Sequence, residues 1–520
     1  MITSTTQILV AMIIYMSAVI AIGIIFAKQA NKSSENYFLG GRSLGPWVTA
    51  MSAEASDMSG WLLMGLPGVA YWCGIADASW TAIGLAVGTY INWLFVAKRL
   101  RRYSEVCNNS ITIPEFFSNR FHEKSKVLLM LSAIFIVIFF VVYTASGFVA
   151  CGKLFSTLFG KSYHSMLILG AVFVLLYTLI GGFLAESASD FMQALVMIIA
   201  LVTVFALGIS ASGGFAEVLE RAKEIPGYLS LKTMANPQTE SGIQVIQNGI
   251  PQFGEPKSYN LLTVLSCLAW GIGYFGMPQV LLRFMAIRDA QQLTRSRRIA
   301  TVWVVISLAA AVLIGVIGRN LYPVHERLIS ATGAENVFIV MATDLLPGIL
   351  AGLVLAGILA ATISSSDSYM LIAASACSKN IIDGIAQHKN GKSIDDKTLM
   401  HISRITLLVI SVFAVFIAWN ENSVIFTIVS FAWAGFGATF GPLMLFSLFW
   451  RRINRSGAIA GMVSGAATVF VWKLLLKPLG GLFGIYELLP AAIVSSIVII
   501  VVSLITAPPN EEICKEFDSI

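Results

Sequence analysis

Residues 52–68 read SAEASDMSGWLLMGLPG. Two carboxylates, Glu54 and Asp57, stand there with several hydroxyls, three glycines and a proline, inside an apolar run long enough to cross a bilayer. An aspartate at mid-membrane costs about 2.5–3.5 kcal/mol on the insertion scale, so its presence needs a reason. Where a helix unwinds in the membrane, carbonyls and amides lose their intrahelical partners and must find water, protein or a ligand. A hard monovalent cation can use the freed carbonyls, and a carboxylate ligand can use the N–H groups that open the next half-helix. Gly60 would permit unusual backbone angles, and Pro67 removes one donor. Asp57 can also be read as a capping or internally bonded carboxylate, and Glu54, nearer the end of the span, as an exposed charge.

The composition around this stretch is that of a polytopic membrane protein: of 520 residues, 57% are hydrophobic and only 12% charged. Apolar runs predict thirteen spans, at 8–27, 45–73, 79–97, 127–152, 165–184, 190–211, 260–282, 299–318, 338–377, 404–419, 424–450, 456–472 and 485–506. The first has neither the basic flank nor the small-residue site of a cleaved signal. Loops after odd-numbered spans, with the C-terminal tail, carry 24 Lys and Arg against 10 on the other side. That bias predicts an external N-terminus and a cytoplasmic C-terminus. The net charge of +6 is then explained by cytoplasmic anchors such as KRLRR at 98–102, with no nucleic-acid partner implied. Six scattered cysteines form no C-x-x-C pair, so neither a disulfide framework nor a metal cluster is suggested.

A second interrupted span, AWGIGYFGMP at 269–278, stands five spans after the first. Spans 2–6 and 7–11 would then form two units of opposite orientation, each opening on a broken helix, which is the strongest sequence pointer to a transporter's binding site. The predicted architecture is an all-α single membrane domain: a leading helix at 8–27, a first repeat at 45–211, an inverted second at 260–450 and trailing helices at 456–506. A polar cluster, ILAATISSSDSYML at 358–371, marks span 9. Ala361, Ser364 and Ser365 fall at i, i+3 and i+4, bringing one carbonyl and two hydroxyls to one face. Facing Ala55 and Met58, they would give the all-oxygen set that an alkali cation prefers, although Ser and Thr also serve as plain helix–helix contacts.

YFLGGRSLGPWVTAMSAEASDMSGWLLMGLPG, GGFLAESASDFMQA, WGIGYFGMPQVLLRFMA, ILAATISSS and SFAWAGFGATFGPLMLFSLFWRR occur in that order along the chain. Together they resemble the solute:sodium symporter family, and the resemblance implies the inverted five-helix repeat of the leucine-transporter type. It implies sodium as coupling ion, with no organic cofactor, held by the carbonyls of Ala55, Met58 and Ala361 and the hydroxyls of Ser364 and Ser365. Asp57 and Asp190 would support sodium binding or access. Ser59, Gly60, Tyr143, Trp270, Tyr274 and Pro278 would line a pocket for L-proline, or for another small amino acid or carboxylate. Arg42 matches a functionally sensitive cytoplasmic arginine, though an inside anchor explains it too. Glu54 and Asp367 depart from the pattern, standing where small or hydroxyl residues are expected, and each could add a cation or proton site. The external loop at 212–258 is longer than the family pattern leads one to expect.

The expected activity is therefore inward sodium movement coupled to solute uptake in a plasma membrane, with no obligate protein partner. A channel would be expected to show a pore-loop or charged-ring signature, and a metalloenzyme an H-E-x-x-H; neither pattern is evident, and all five histidines fall in loops or at span ends.

Overall fold

Hydrocarbon offers no partners to a peptide backbone, so apolar runs of this length must satisfy their own N–H and C=O groups, and they do so as helices. The computed structural model of the chain describes residues 4–30, 32–390 and 393–520. Among these, ten helices are long and apolar enough to cross a membrane, and the bent pair Leu261–Gly276 and Pro278–Ala286, angled at 44°, makes an eleventh crossing if taken as one span. The windows of spans 9 and 11 are 83% buried, against 28–33% for spans 1, 10, 12 and 13, so the former are the core and the latter skirt it.

Apart from span ends that shift by several residues, three predictions differ from the structure, each for a local reason. Spans 5 and 6 are one helical run, Tyr163–Ala211, broken only at Gly182 (φ 66°, ψ 176°). Tyr177 and Ser189 hydrogen-bond to each other through their hydroxyls, whereas a straight helix would hold residues twelve apart about 18 Å distant. The run therefore folds back at Gly182. Span 9 does not begin at 338: Val337–Leu345 is a separate helix, and Gly348–Ser375 starts after Pro347, which forces Leu346 into extended backbone (φ −122°, ψ 144°). The loop at 212–258 is not irregular. It holds the helix Phe215–Lys223 and three two-stranded antiparallel sheets between Thr233 and Ser258, so the chain is mostly, not purely, helical.

Small residues let these helices approach closely, as membrane packing requires. A Cβ on Gly352 would meet Ala11 at 2.7 Å and one on Gly357 would meet Ala200 at 2.8 Å, which seats span 9 against spans 1 and 6. At the face bearing the 212–258 loop, Lys153 of span 4 pairs with Glu335, whose carboxylate also accepts the Ile425 and Phe426 N–H groups. The start of span 11 is thus capped by a buried, paired acid.

Gly182→Ala should lower the thermal unfolding midpoint in detergent, because φ and ψ there lie in a region open essentially to glycine alone and strain of that kind costs about 1–3 kcal/mol. Gly45→Ala, where φ is −82° and nothing lies within 4 Å, should leave it unchanged.

Candidate ion and solute site

Span 2 starts as the helix Pro46–Asp57 and resumes with a wide turn over Trp61–Gly65 that leads into Leu66–Cys73. Between them the amides change partners. Ser59 N–H bonds the Asp57 carbonyl at 3.0 Å and not Ala55, and Leu62 N–H bonds the Ser59 carbonyl at 2.9 Å and not Met58. Among the carbonyls left without their helical donors are those of Ala55 and Met58. Gly60 has ordinary angles (φ −49°, ψ −17°), contrary to the expectation from sequence. Its smallness serves packing, because a Cβ there would meet Ala150 at 2.8 Å and Thr362 at 3.4 Å.

Span 9 meets this break. Ser364 Oγ donates to the Ala55 carbonyl at 2.8 Å and lies 3.3 Å from the Ala361 carbonyl, to which Ser365 Oγ donates at 2.7 Å. Four of the five expected sodium-coordinating oxygens thus lie in one hydrogen-bonded group, all neutral and hard, a donor set that fits an alkali ion. Met58 adjoins the break, but no hydrogen bond ties its carbonyl to the other four.

Asp57 points elsewhere. Gln279 of span 7 donates to its Oδ1 at 3.2 Å, and the Tyr274 hydroxyl lies beside it. Tyr143 stacks on Tyr369 at 4.2 Å and faces Ser59 and Asp57. The hydroxyls of Tyr274 and Tyr369 are buried beside Asp57 and Tyr143, and Oε1 of Gln279 is among the buried polar atoms with no hydrogen-bond partner among the described residues. Such atoms usually have a partner, so the Asp57, Ser59, Tyr143, Tyr274, Gln279 and Tyr369 cluster is suited to a small polar ligand. It adjoins the break in span 7, an eight-residue 3₁₀ stretch (Ala269–Gly276) that ends at an extended Met277 before Pro278 opens the next helix. Asn92 Nδ2 takes up the Tyr274 carbonyl freed there, at 3.0 Å.

Trp270 sits apart from that cluster. It packs between Trp61 and Tyr486 at 5.7 and 5.0 Å, with Phe426 at 5.4 Å, forming an aromatic plug. A vestibule of about 700 Å³, bordered by Asp77, Lys473 and Lys477, ends on Trp270 and Phe426. On the far side of the site lies a charged knot. Arg283, fully buried, bonds Glu186, Asp190 (3.2 Å), Ser52 (3.0 Å) and Ser368 (2.8 Å), and Ser52 also donates to Asp190 at 2.7 Å. Asp367 lies beside it. Arg42 fastens the same side by bonds to the Met285 and Ser110 carbonyls at 2.7 and 2.9 Å.

The sequence reading needs correction on this side. Of the two readings of Glu54, the exposed end charge is ruled out: it is 1% exposed and accepts from Trp93 Nε1 at 3.1 Å. Asp190 does not stand at the start of its span; it lies inside the run that follows Gly182. Arg283 counts as a loop anchor in the sequence and is instead the centre of the knot. Gln279 and Tyr369 lie inside polar or interrupted blocks, yet nothing in their spacing sets them apart from packing residues.

Comparison with known proteins places this geometry. A profile of the Sodium:solute symporter family matches residues 37–465. Over 515 residues the chain is 41% identical to a "Sodium/proline symporter" of Escherichia coli (strain K12), covering 99% of this chain and 96% of that one. A "Sodium/proline symporter" of Staphylococcus aureus (strain USA300 / TCH1516) is 41% identical over 508 residues, covering 97% and 93%. Among solved structures, a Na⁺-coupled sialic acid symporter in a substrate-bound outward-open state shares the fold at TM-score 0.76 and 17% identity, over 97% of this chain and 99% of that one. The nucleobase-cation-symport transporter Mhp1, in a closed conformation, does so at TM-score 0.55 and 13% identity, over 93% and 98%. The chain belongs to the sodium:solute symporter family, which makes it a multi-pass membrane transporter and not an enzyme, with sodium as the coupling ion.

Arg283→Met should cost about 3–5 kcal/mol, since it strands Glu186 and Asp190 without their buried cation. A lowered unfolding midpoint in detergent checks this. Arg283→Lys should recover part of the loss, because one ammonium cannot reach the partners that the guanidinium fork spans.

Proposed function

We propose that the protein is a secondary transporter that takes up L-proline with inward sodium movement, by alternating access. The observation that carries this reading is the junction of spans 2 and 9, where the Ala55 carbonyl freed by the break in one helix meets the Ser364 hydroxyl of another. Sodium at Ala55, Met58, Ala361, Ser364 and Ser365 would hold that break in one shape, and the neighbouring cluster in its solute-competent arrangement. Binding of either ligand then favours the other, which is a population shift without a covalent step. One charge moved across about 100 mV releases about 2.3 kcal/mol, enough for roughly forty-fold accumulation before the sodium gradient adds to it.

In this reading the solute lies between the two breaks. The carboxylate of proline takes N–H groups near Ser59 and Gly60, where the second half of span 2 begins, and Tyr143 and Tyr274 lie along the apolar ring. Trp270 closes the pocket toward the vestibule, and Pro278 fixes the break below Tyr274. Asp57 orients Gln279 and Tyr274, whereas Asp190 acts through Arg283 in closing the opposite side. The name borne by both curated relatives supports proline as solute; another small amino acid or carboxylate is the alternative. This reading includes no organic cofactor and no obligate protein partner.

The same reading takes the folded run as two spans and each interrupted helix as one, which brings the ten long helices to thirteen. Spans 2–6 and 7–11 then form inverted halves that each open on a break, with a leading helix before them and two trailing ones. The charge bias supports an external N-terminus and a cytoplasmic C-terminus. Moving Arg283 out of the loop count leaves that bias strong. The vestibule and the 212–258 segment then face outward and the charged knot inward.

Proteoliposomes holding the full chain should accumulate radiolabelled L-proline under an inward sodium gradient and not when potassium replaces sodium. Ser364→Ala should raise the sodium concentration for half-maximal uptake by about ten-fold or more, the scale of one lost ligand to a charge. Sodium-driven uptake of a different solute would keep the mechanism and reassign the pocket, and uptake indifferent to sodium would overturn the reading.

A further inference from the structure

Outside the transport site, a cavity of about 410 Å³ lies between the end of span 8 and the 212–258 segment. Its size is that of a small-ligand pocket. Arg319 and Asn320 form one wall, and Tyr228, Phe253, Pro251 and Pro323 give it apolar surface. Arg319 is 3% exposed. Its guanidinium lies over the rings of Tyr71 and Phe253, 5.1 and 4.9 Å from their centroids, and its Nη2 donates to Gln244 at 3.0 Å. It has no ion-pair partner among the described residues, and its Nε is buried with no acceptor. Both polar atoms of the Asn320 amide are likewise without partners. Glu224 borders the same cavity and is exposed, and Arg221, also at its edge, is already paired with Glu217 at 2.8 Å.

A buried guanidinium without a carboxylate is costly, and an anion supplied from outside would offset that cost. We propose that this cavity is a second binding site, for a small organic monocarboxylate whose carboxylate pairs with Arg319 and Asn320 while its apolar part lies on Tyr228 and Phe253. The apolar walls and the volume favour an organic ligand over a bare inorganic ion. The site is fastened to the outer half of span 2, because the Tyr228 hydroxyl lies 2.7 and 3.0 Å from the Ala70 and Tyr71 carbonyls. The assignment is independent of which solute is transported.

The test is equilibrium dialysis of radiolabelled benzoate against the full-length chain in detergent, with unlabelled L-proline in excess. Saturable binding that persists under proline, and that Arg319→Gln weakens about ten-fold or more, is the expected result. Arg319→Lys keeps the charge but loses the two-pronged donor, so it should weaken binding by a smaller factor; it carries the test if the Gln variant fails to fold. Binding that does not saturate, that proline displaces, or that both variants leave unchanged would overturn the proposal. Chloride that displaces benzoate in the native chain, and itself binds there with the same dependence on Arg319, would make this a site for inorganic anions and overturn the organic assignment.

Discussion

In the middle of span 2 two amides, those of Ser59 and Leu62, bond one or two residues away from where a helix would place them. The carbonyls of Ala55 and Met58 are thereby left without their usual donors, in a chain whose surroundings offer few substitutes. One of the two is met by the Ser364 hydroxyl from span 9, one of the two most buried spans among the described residues. Much else follows from that contact. Span 9 must approach span 2 closely enough for a hydroxyl to reach a backbone oxygen, which is why Gly60 stands against Ala150 and Thr362 and why glycines line span 9 where it crosses spans 1 and 6.

The two sides of the site are closed by different physics. Toward the vestibule the closure is aromatic: Trp61, Trp270, Phe426 and Tyr486 are held by dispersion and ring geometry, which tolerate sliding at small cost. On the other side it is ionic, with Arg283 tying spans 2, 6, 7 and 9 through Ser52, Glu186, Asp190 and Ser368. A buried ion network is costly to break one member at a time, so it suits an all-or-none closure. This chemistry separates a side that yields readily from one that must release as a unit.

Much of this was legible in the sequence because membranes make polar residues conspicuous. SAEASDMSGWLLMGLPG and AWGIGYFGMP announced the two breaks, and the i, i+3, i+4 spacing of Ala361, Ser364 and Ser365 announced the face that meets the first. What the sequence did not disclose depends on contacts between distant segments. Arg283 reads as a loop anchor until Glu186 and Asp190 are seen beside it, and Glu54 reads as an end charge until Trp93 is. Gly182 does not differ in sequence from a loop glycine between two spans, and the extended backbone at Leu346, before Pro347, is hidden inside a longer apolar run. Residues 212–258 read as a long loop because strands of two to six residues leave little periodicity.

The central claim is that the junction of spans 2 and 9 holds the coupling ion, and it is tested most directly by binding of radiolabelled sodium to the purified full-length chain with and without L-proline. The account predicts saturable sodium binding that proline tightens, with Ser364→Ala and Ser365→Ala each weakening it and the proline effect lost with it. Sodium binding of native strength in both serine variants would contradict the account, whatever solute the protein carries.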